Sequence, residues 1–128
     1  MTRTFPLTLA LLAVALTAGC AAYRTNSDIE FDSTDLGDRK PVIPVGKVDT
    51  TGRPTQVIGP VVATVKKLTV NHDDPTREMA DIVLAHKAKE MGADAVIDVK
   101  YEDPKIVVGS WGELRAEGTA IKFVTGKP

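Results

Sequence analysis

The chain has 128 residues, with 16 basic and 17 acidic side chains and a formal net charge of −1 at pH 7. This length suits one small domain, and the balanced charge excludes the basic surface with which proteins hold nucleic acid. The chain has one cysteine, Cys20, which excludes an intrachain disulfide, so the fold must depend on its apolar core.

The first residues have the pattern of a bacterial secretion signal. An apolar stretch of about 12 residues, Leu7–Ala18, follows the basic Arg3 and is too short to span a bilayer, which takes about 20 residues. The run Leu16-Thr17-Ala18-Gly19-Cys20 resembles a lipobox. We expect residues 1–19 to be removed and Cys20 to become the acylated first residue. The alternative is cleavage at another small residue, which leaves Cys20 an ordinary thiol.

Acylation of Cys20 predicts where the protein is located. A diacylglyceryl group supplies two chains, which is enough for stable attachment to a bilayer. Ala21, rather than an aspartate, follows the cysteine, a pattern that resembles lipoproteins of the outer membrane. We therefore expect a lipid-anchored envelope protein, in the outer membrane and facing the periplasm.

Residues 20–54 are predicted to be the lipidated N-terminus and a flexible tether. The segment is polar, and no apolar period of 2 or 3.6 persists along it. Such a composition cannot bury enough surface to offset the entropy of ordering. The exception is Val42–Val45, which either belongs to the tether or docks as an edge strand, where Pro44 is tolerated.

Residues 55–126 are predicted to be the folded domain, and it begins with a strand and a helix. Val57–Val70 is rich in β-branched residues and is broken by Gly59-Pro60, which predicts a strand with a kink or bulge near its start. Asp74 is suited to cap a helix that has Pro75 as its first residue. The helix should run to Met91, because Gly92 is a typical C-terminal cap.

The helix carries more apolar surface than one sheet requires. One stripe at helical spacing consists of Ala80, Val83, Leu84, Ala88 and Met91, and an adjoining stripe consists of Met79, Ile82 and His86. The second stripe indicates either another subunit or wider burial inside one core.

Three strands are predicted to follow the helix. Ala93–Tyr101 alternates between apolar and polar residues and should end at Glu102-Asp103-Pro104. Ile106–Val108 is a short apolar strand, and Leu114–Val124 is the last strand. The inward positions of the last strand change register near Gly118, which predicts a bulge there. The fold class is therefore α+β, a small, mostly antiparallel β-α-β-β-β sheet with one helix packed on one face.

Three motifs carry a resemblance to a known family. The run Ile58-Gly59-Pro60-Val61, the helix end Met91-Gly92-Ala93-Asp94-Ala95-Val96 and the closing Gly118-Thr119-Ala120 are similar to YbjQ-like domains, a family labelled as heavy-metal-binding. The fold also resembles that of the RcsF envelope-stress lipoproteins, whose disulfides this chain cannot form. The YbjQ-like resemblance covers about residues 57–123 and implies a homo-oligomer. It transfers no ligand motif to this chain.

Metal binding has one local candidate, the turn His72-Asp73-Asp74. An imidazole and carboxylates suit zinc or another divalent ion. The alternative is a solvated turn in which Asp74 caps the helix. His86 lies too far along the helix to be assigned as a further ligand.

Trp111, in a glycine-rich turn, is the candidate partner contact. The alternative, which we favour, is that its ring folds back over the edge of the core.

The sequence contains no set of residues that specifies a reaction. Acylation leaves no thiol for a Cys–His pair, and neither histidine has a recognisable serine nucleophile. We expect no catalytic residue and no cofactor. The expected function is that of a non-enzymatic envelope module for binding, assembly or stress sensing, with the bilayer and an unknown envelope protein as partners. The alternative is a module that binds a divalent or heavy metal.

Overall fold

The computed structural model of the protein describes residues 22–31, 39–106 and 111–124. Residues 1–19, Cys20, Val107 and Val108 lie outside these ranges, and so do residues 125 and 126 of the predicted domain. The signal peptide, the acylation and part of the predicted Ile106–Val108 strand therefore stay predictions. Within the described ranges, no helix is long and apolar enough to cross a membrane.

Five strands form one sheet, and one helix packs against it. The sheet order is β2-β1-β3-β5-β4, and all neighbouring strands are antiparallel. The helix, α1, contacts β3, β5 and β4. The elements are β1 (Tyr23–Thr25), β2 (Glu30–Phe31), β3 (Thr55–Lys67), α1 (Arg77–Glu90), β4 (Ala95–Lys105) and β5 (Gly112–Phe123). The predicted α+β fold, a mostly antiparallel sheet with one packed helix, is confirmed.

The long first strand of the predicted domain is β3. Alternate residues from Val61 to Lys67 are buried, as expected for a strand with one face on the core. The register against β5 shifts between Val57 and Gly59. The predicted bulge near Gly59-Pro60 is therefore confirmed.

The helix begins two residues later than the sequence predicts. Thr76, not Asp74, is the N-cap, and its side chain accepts a hydrogen bond from the Met79 N–H. Asp74 instead accepts a 2.9 Å hydrogen bond from the Lys67 ammonium, which is almost buried. The need to pair that charge explains the difference. At the other end, Gly92 has a φ of +87°, which confirms the predicted glycine stop.

Residues 22–31 form a β-hairpin that belongs to the fold. Tyr23 and Phe31 are buried in the main core, and Tyr23 of β1 pairs with Lys67 of β3. The prediction of a flexible tether is wrong for this segment. The two strands have three residues and two residues, too few to show a period of 2 in the sequence.

Most of both apolar stripes of α1 is buried inside one chain; the exceptions are His86, which is partly exposed, and Met91, which follows the helix and is 42% exposed. Met79 and Ile82 of the second stripe join the same core cluster as Leu84 and the hairpin residue Phe31. Of the two explanations for the second stripe, the structure therefore supports wider burial inside one core. The helix gives no separate reason for a second subunit.

The segment around Val45 docks on the edge strand β4. Val45 forms a parallel bridge with Val96, the Val96 N–H donates to the Pro44 carbonyl at 2.9 Å, and the Gly46 N–H donates to the Val96 carbonyl at 2.9 Å. Edge docking of Val42–Val45, one of the two alternatives, is therefore confirmed for its last two residues.

The C-terminal strands differ from the prediction in their lengths. β4 continues through Glu102–Pro104 to Lys105, because a proline is tolerated in an edge strand. Ile106 belongs to no strand and is exposed. The expected register change near Gly118 occurs, but the extra residue lies in β4, where Asp98, at a φ of +54°, helps to place two residues opposite Gly118.

Candidate metal centre

The predicted turn His72-Asp73-Asp74 does not form a convergent ligand set. His72 Nδ1 pairs with the Thr69 hydroxyl, and Asp74 holds Lys67. The Tyr23 hydroxyl donates to the Asp73 carbonyl at 2.7 Å. The turn lines a cavity of about 220 Å³, but its side chains are engaged separately. The structure therefore gives these residues a role in fastening β1 and β3 to the start of α1.

Ligand atoms of three residues converge elsewhere. Asp28, His86 and Glu90 each place one ligand atom within 4.8 Å of the other two. In the described part of the chain this is where three such residues come together. The donor set is one imidazole nitrogen and two carboxylate oxygens, which suits a divalent ion.

The fold brings these side chains together from two elements. His86 and Glu90 are four residues apart on α1 and therefore share a face. Asp28 lies in the turn between β1 and β2. The Thr25 hydroxyl stabilises that turn by donating to the Ile29 carbonyl at 2.5 Å. The turn is also held to β3 by Asn26, whose amide donates to the Val62 carbonyl at 2.9 Å.

The imidazole of His86 has an unsatisfied nitrogen. Nε2 is buried and has no hydrogen-bond partner, although the side chain as a whole is 32% exposed. Glu90 Oε1 lies 2.9 Å away, but it is not aligned for a hydrogen bond from the ring. A buried polar nitrogen without a partner is costly. A cation bound between the three residues would remove that cost.

The geometry fits a cation after a small closure. With ligands at about 2.1 Å, neighbouring donors around tetrahedral zinc are about 3.4 Å apart. His86 Nε2 and Glu90 Oε1 are 2.9 Å apart, and all three ligand atoms lie within 4.8 Å of one another, so small movements of the exposed carboxylates of Asp28 and Glu90 would bring the donors to that spacing. The absence of thiolate among the three donors favours borderline ions such as Zn²⁺, Co²⁺ or Ni²⁺ over Cu⁺.

A second polar pair is structural. The Tyr101 hydroxyl donates to Asp81 Oδ1 at 2.5 Å between β4 and α1. Burial raises the pKa of Asp81, and burial together with this hydrogen bond raises the pKa of Tyr101. The Arg77 guanidinium lies 4.8 Å from the centre of the Tyr101 ring. The pair thus fastens the helix to the sheet.

Trp111 is exposed, so the favoured interpretation that it folds back over the core is wrong. The residue is 54% exposed, and its backbone N–H donates to the Lys67 carbonyl at 3.1 Å, which fixes the start of β5. The ring remains available for a partner.

The sequence showed part of the convergent site. The four-residue spacing of His86 and Glu90 on a helix could have indicated a ligand pair. No local signal pointed to Asp28, because it lies in a segment interpreted as a tether.

The fold and the imidazole–carboxylate cluster define a small α+β domain with a candidate metal centre. A family model described as "Putative heavy-metal-binding", YbjQ_1, matches residues 55–124, which is more than half of the chain. The chain therefore belongs to the YbjQ-like family. Asp28 lies outside the matched residues. A search of curated proteins finds no match.

Proposed function

We propose that the protein binds a divalent transition-metal ion through Asp28, His86 and Glu90. The observation that carries the proposal is the convergence of the three ligand atoms around a buried imidazole nitrogen without a hydrogen bond. Membership of a family labelled as heavy-metal-binding supports the same class of ligand. The non-enzymatic role expected from the sequence remains part of this proposal.

The two histidines of the chain allow a matched test. The full-length protein is titrated with Zn²⁺, Co²⁺ and Ni²⁺ by calorimetry. His86→Ala should weaken binding by at least about 100-fold, because loss of a ligand costs more than loss of its supporting contacts, which costs about 10–100-fold. His72→Ala removes the other histidine, which does not belong to the cluster, and should leave the affinity unchanged.

The variants also separate this site from the predicted turn. Binding that is lost in His72→Ala and kept in His86→Ala would move the centre to the turn. Wild-type protein with no affinity for these ions would refute metal binding. Asp28→Asn should weaken binding while it preserves the shape of the turn.

We further propose that the domain is held at a membrane by acyl chains on Cys20, in the outer membrane facing the periplasm. The lipobox-like run before Cys20 supports this location. Intact-mass measurement of the protein extracted from cell membranes tests it, because an unmodified Cys20 would refute acylation.

A homo-oligomer is proposed on the family resemblance alone. Analytical sedimentation of the purified protein tests it, and a monomer at high concentration would refute it.

A further inference from the structure

One end of the sheet combines exposed apolar side chains with the start of the folded chain. Tyr23 pairs with Lys67, and Lys67 pairs with Gly112, so β1 begins where β3 ends and β5 begins. Trp111, which precedes Gly112, is 54% exposed, and Val70, three residues after Lys67, is 64% exposed. Ile106, directly after the end of β4, is 75% exposed. We call the surface formed by Val70, Ile106 and Trp111 the apolar end.

The polypeptide leaves almost no slack between Cys20 and this end. Ala22 is 3% exposed, its N–H donates to the Phe31 carbonyl at 2.8 Å, and its carbonyl accepts from the Leu68 N–H at 3.1 Å. Two residue steps separate Cys20 from Ala22, and they span about 7 Å at most. Acyl chains on Cys20 would therefore enter a bilayer within a short distance of the apolar end.

Two basic residues at the apolar end lie near acidic ones. The Lys67 ammonium is 2.9 Å from Asp74, and Lys66 is the register partner of Glu113 on β5. These neighbouring opposite charges weaken any preference for anionic lipid. A tryptophan ring flanked by small apolar side chains prefers the headgroup level of a membrane, where its N–H stays hydrated.

We propose that the apolar end docks on the bilayer surface, with Trp111 at headgroup level; this rests on the proposed acylation of Cys20. The metal centre then faces the aqueous side. Asn26, beside Asp28, contacts Val62, which precedes Lys67 by five residues and so lies about 16 Å further along β3. The anchor thus fixes the orientation of the domain at the membrane, which a long flexible tether would not do.

The fluorescence of the one tryptophan in the chain tests docking directly. The protein is purified from cell membranes with its anchor and placed in phosphatidylcholine vesicles with brominated or plain acyl chains. The docked protein should lose at least about half of its Trp111 emission in the brominated vesicles, because a ring at headgroup level lies close to the acyl chains.

Two double variants provide the matched controls. Val70→Ser with Ile106→Ser removes exposed apolar groups from the apolar end and should reduce the quenching. Val57→Ser with Val124→Ser changes exposed residues beside Thr55 and Phe123, which pair at the opposite end of the sheet, and should leave it unchanged.

The outcomes separate docking from anchoring. Acylated protein that floats with the vesicles but shows no quenching would overturn docking and leave the anchor intact. An unmodified Cys20 would overturn the anchor, and docking with it. Equal quenching in wild type and both double variants would overturn a surface built from these three residues.

Discussion

Replacement of Phe31 by alanine tests whether the N-terminal hairpin is part of the fold. Phe31 is 0% exposed and is among the largest fully buried side chains of the described residues. A tether residue would tolerate the change, whereas a core residue would leave a cavity in the main core. Glu30→Ala, in the same two-residue strand at an exposed position, is the matched control.

The expected loss is large relative to the stability of the domain. Phe→Ala in a core costs about 3–5 kcal/mol, from lost transfer free energy and the remaining cavity. Domains of this size have a free energy of unfolding of about 5–15 kcal/mol. At about 4 °C per kcal/mol, the melting temperature should fall by about 12–20 °C.

Urea unfolding followed by circular dichroism measures the effect, and a thermal scan gives the melting temperature. Glu30→Ala should stay within about 0.5 kcal/mol of wild type, as is usual for surface substitutions. If Phe31→Ala were as stable as Glu30→Ala, residues 22–31 would not contribute to the core. Cys20 would then not be held within a short distance of the folded domain.

Two further substitutions test packing, the first between strands β4 and β5 and the second between the helix and the sheet. Gly118→Ala would place its Cβ 2.6 Å from Val96 Cγ1 and should cost about 1–3 kcal/mol in urea unfolding, whereas unchanged stability would refute this close approach. Because burial raises the pKa of Asp81, its protonated form favours the folded state, and this contribution should decline as the pH rises from the ordinary value of 3.8 through the raised one. Asp81→Asn can still accept a hydrogen bond from Tyr101, and its stability should lack that decline. Urea unfolding of wild type and variant at pH 4 and pH 7 measures the difference. If the stability of both proteins changed equally with pH, Asp81 would not be the source of the decline.

Long, regular segments could be predicted from the sequence because their periodicity is local. The β-branched run of β3, its interruption at Gly59 and the helix end at Gly92 each carry their own signal. The prediction of the helix start was wrong because Thr76, two residues after Asp74, is also a good cap and is the one that the helix uses. The choice between them is made by Lys67, a residue of another element.

The hairpin and the candidate metal centre could not be predicted because both depend on tertiary contacts. A strand of two residues has no measurable period, and Phe31 is explained by the core that it enters rather than by its neighbours in sequence. Asp28 is 58 residues from His86, so their proximity follows only after β1 pairs with β3. Because its residues are far apart in sequence, the candidate site forms only in the complete fold.

The hairpin links the two proposals energetically. Because β1 pairs with β3 over only three residues, much of the free energy that holds the hairpin in place comes from packing of Tyr23 and Phe31 in the core. A proposed ion held by Asp28 on the hairpin and by His86 on the helix would add RT ln(1 + [metal]/Kd), which is about 2.7 kcal/mol at 100 times Kd. That gain approaches the cost of losing Phe31, about 3–5 kcal/mol. Metal loading would therefore stabilise most strongly the hairpin that follows the proposed anchor at Cys20.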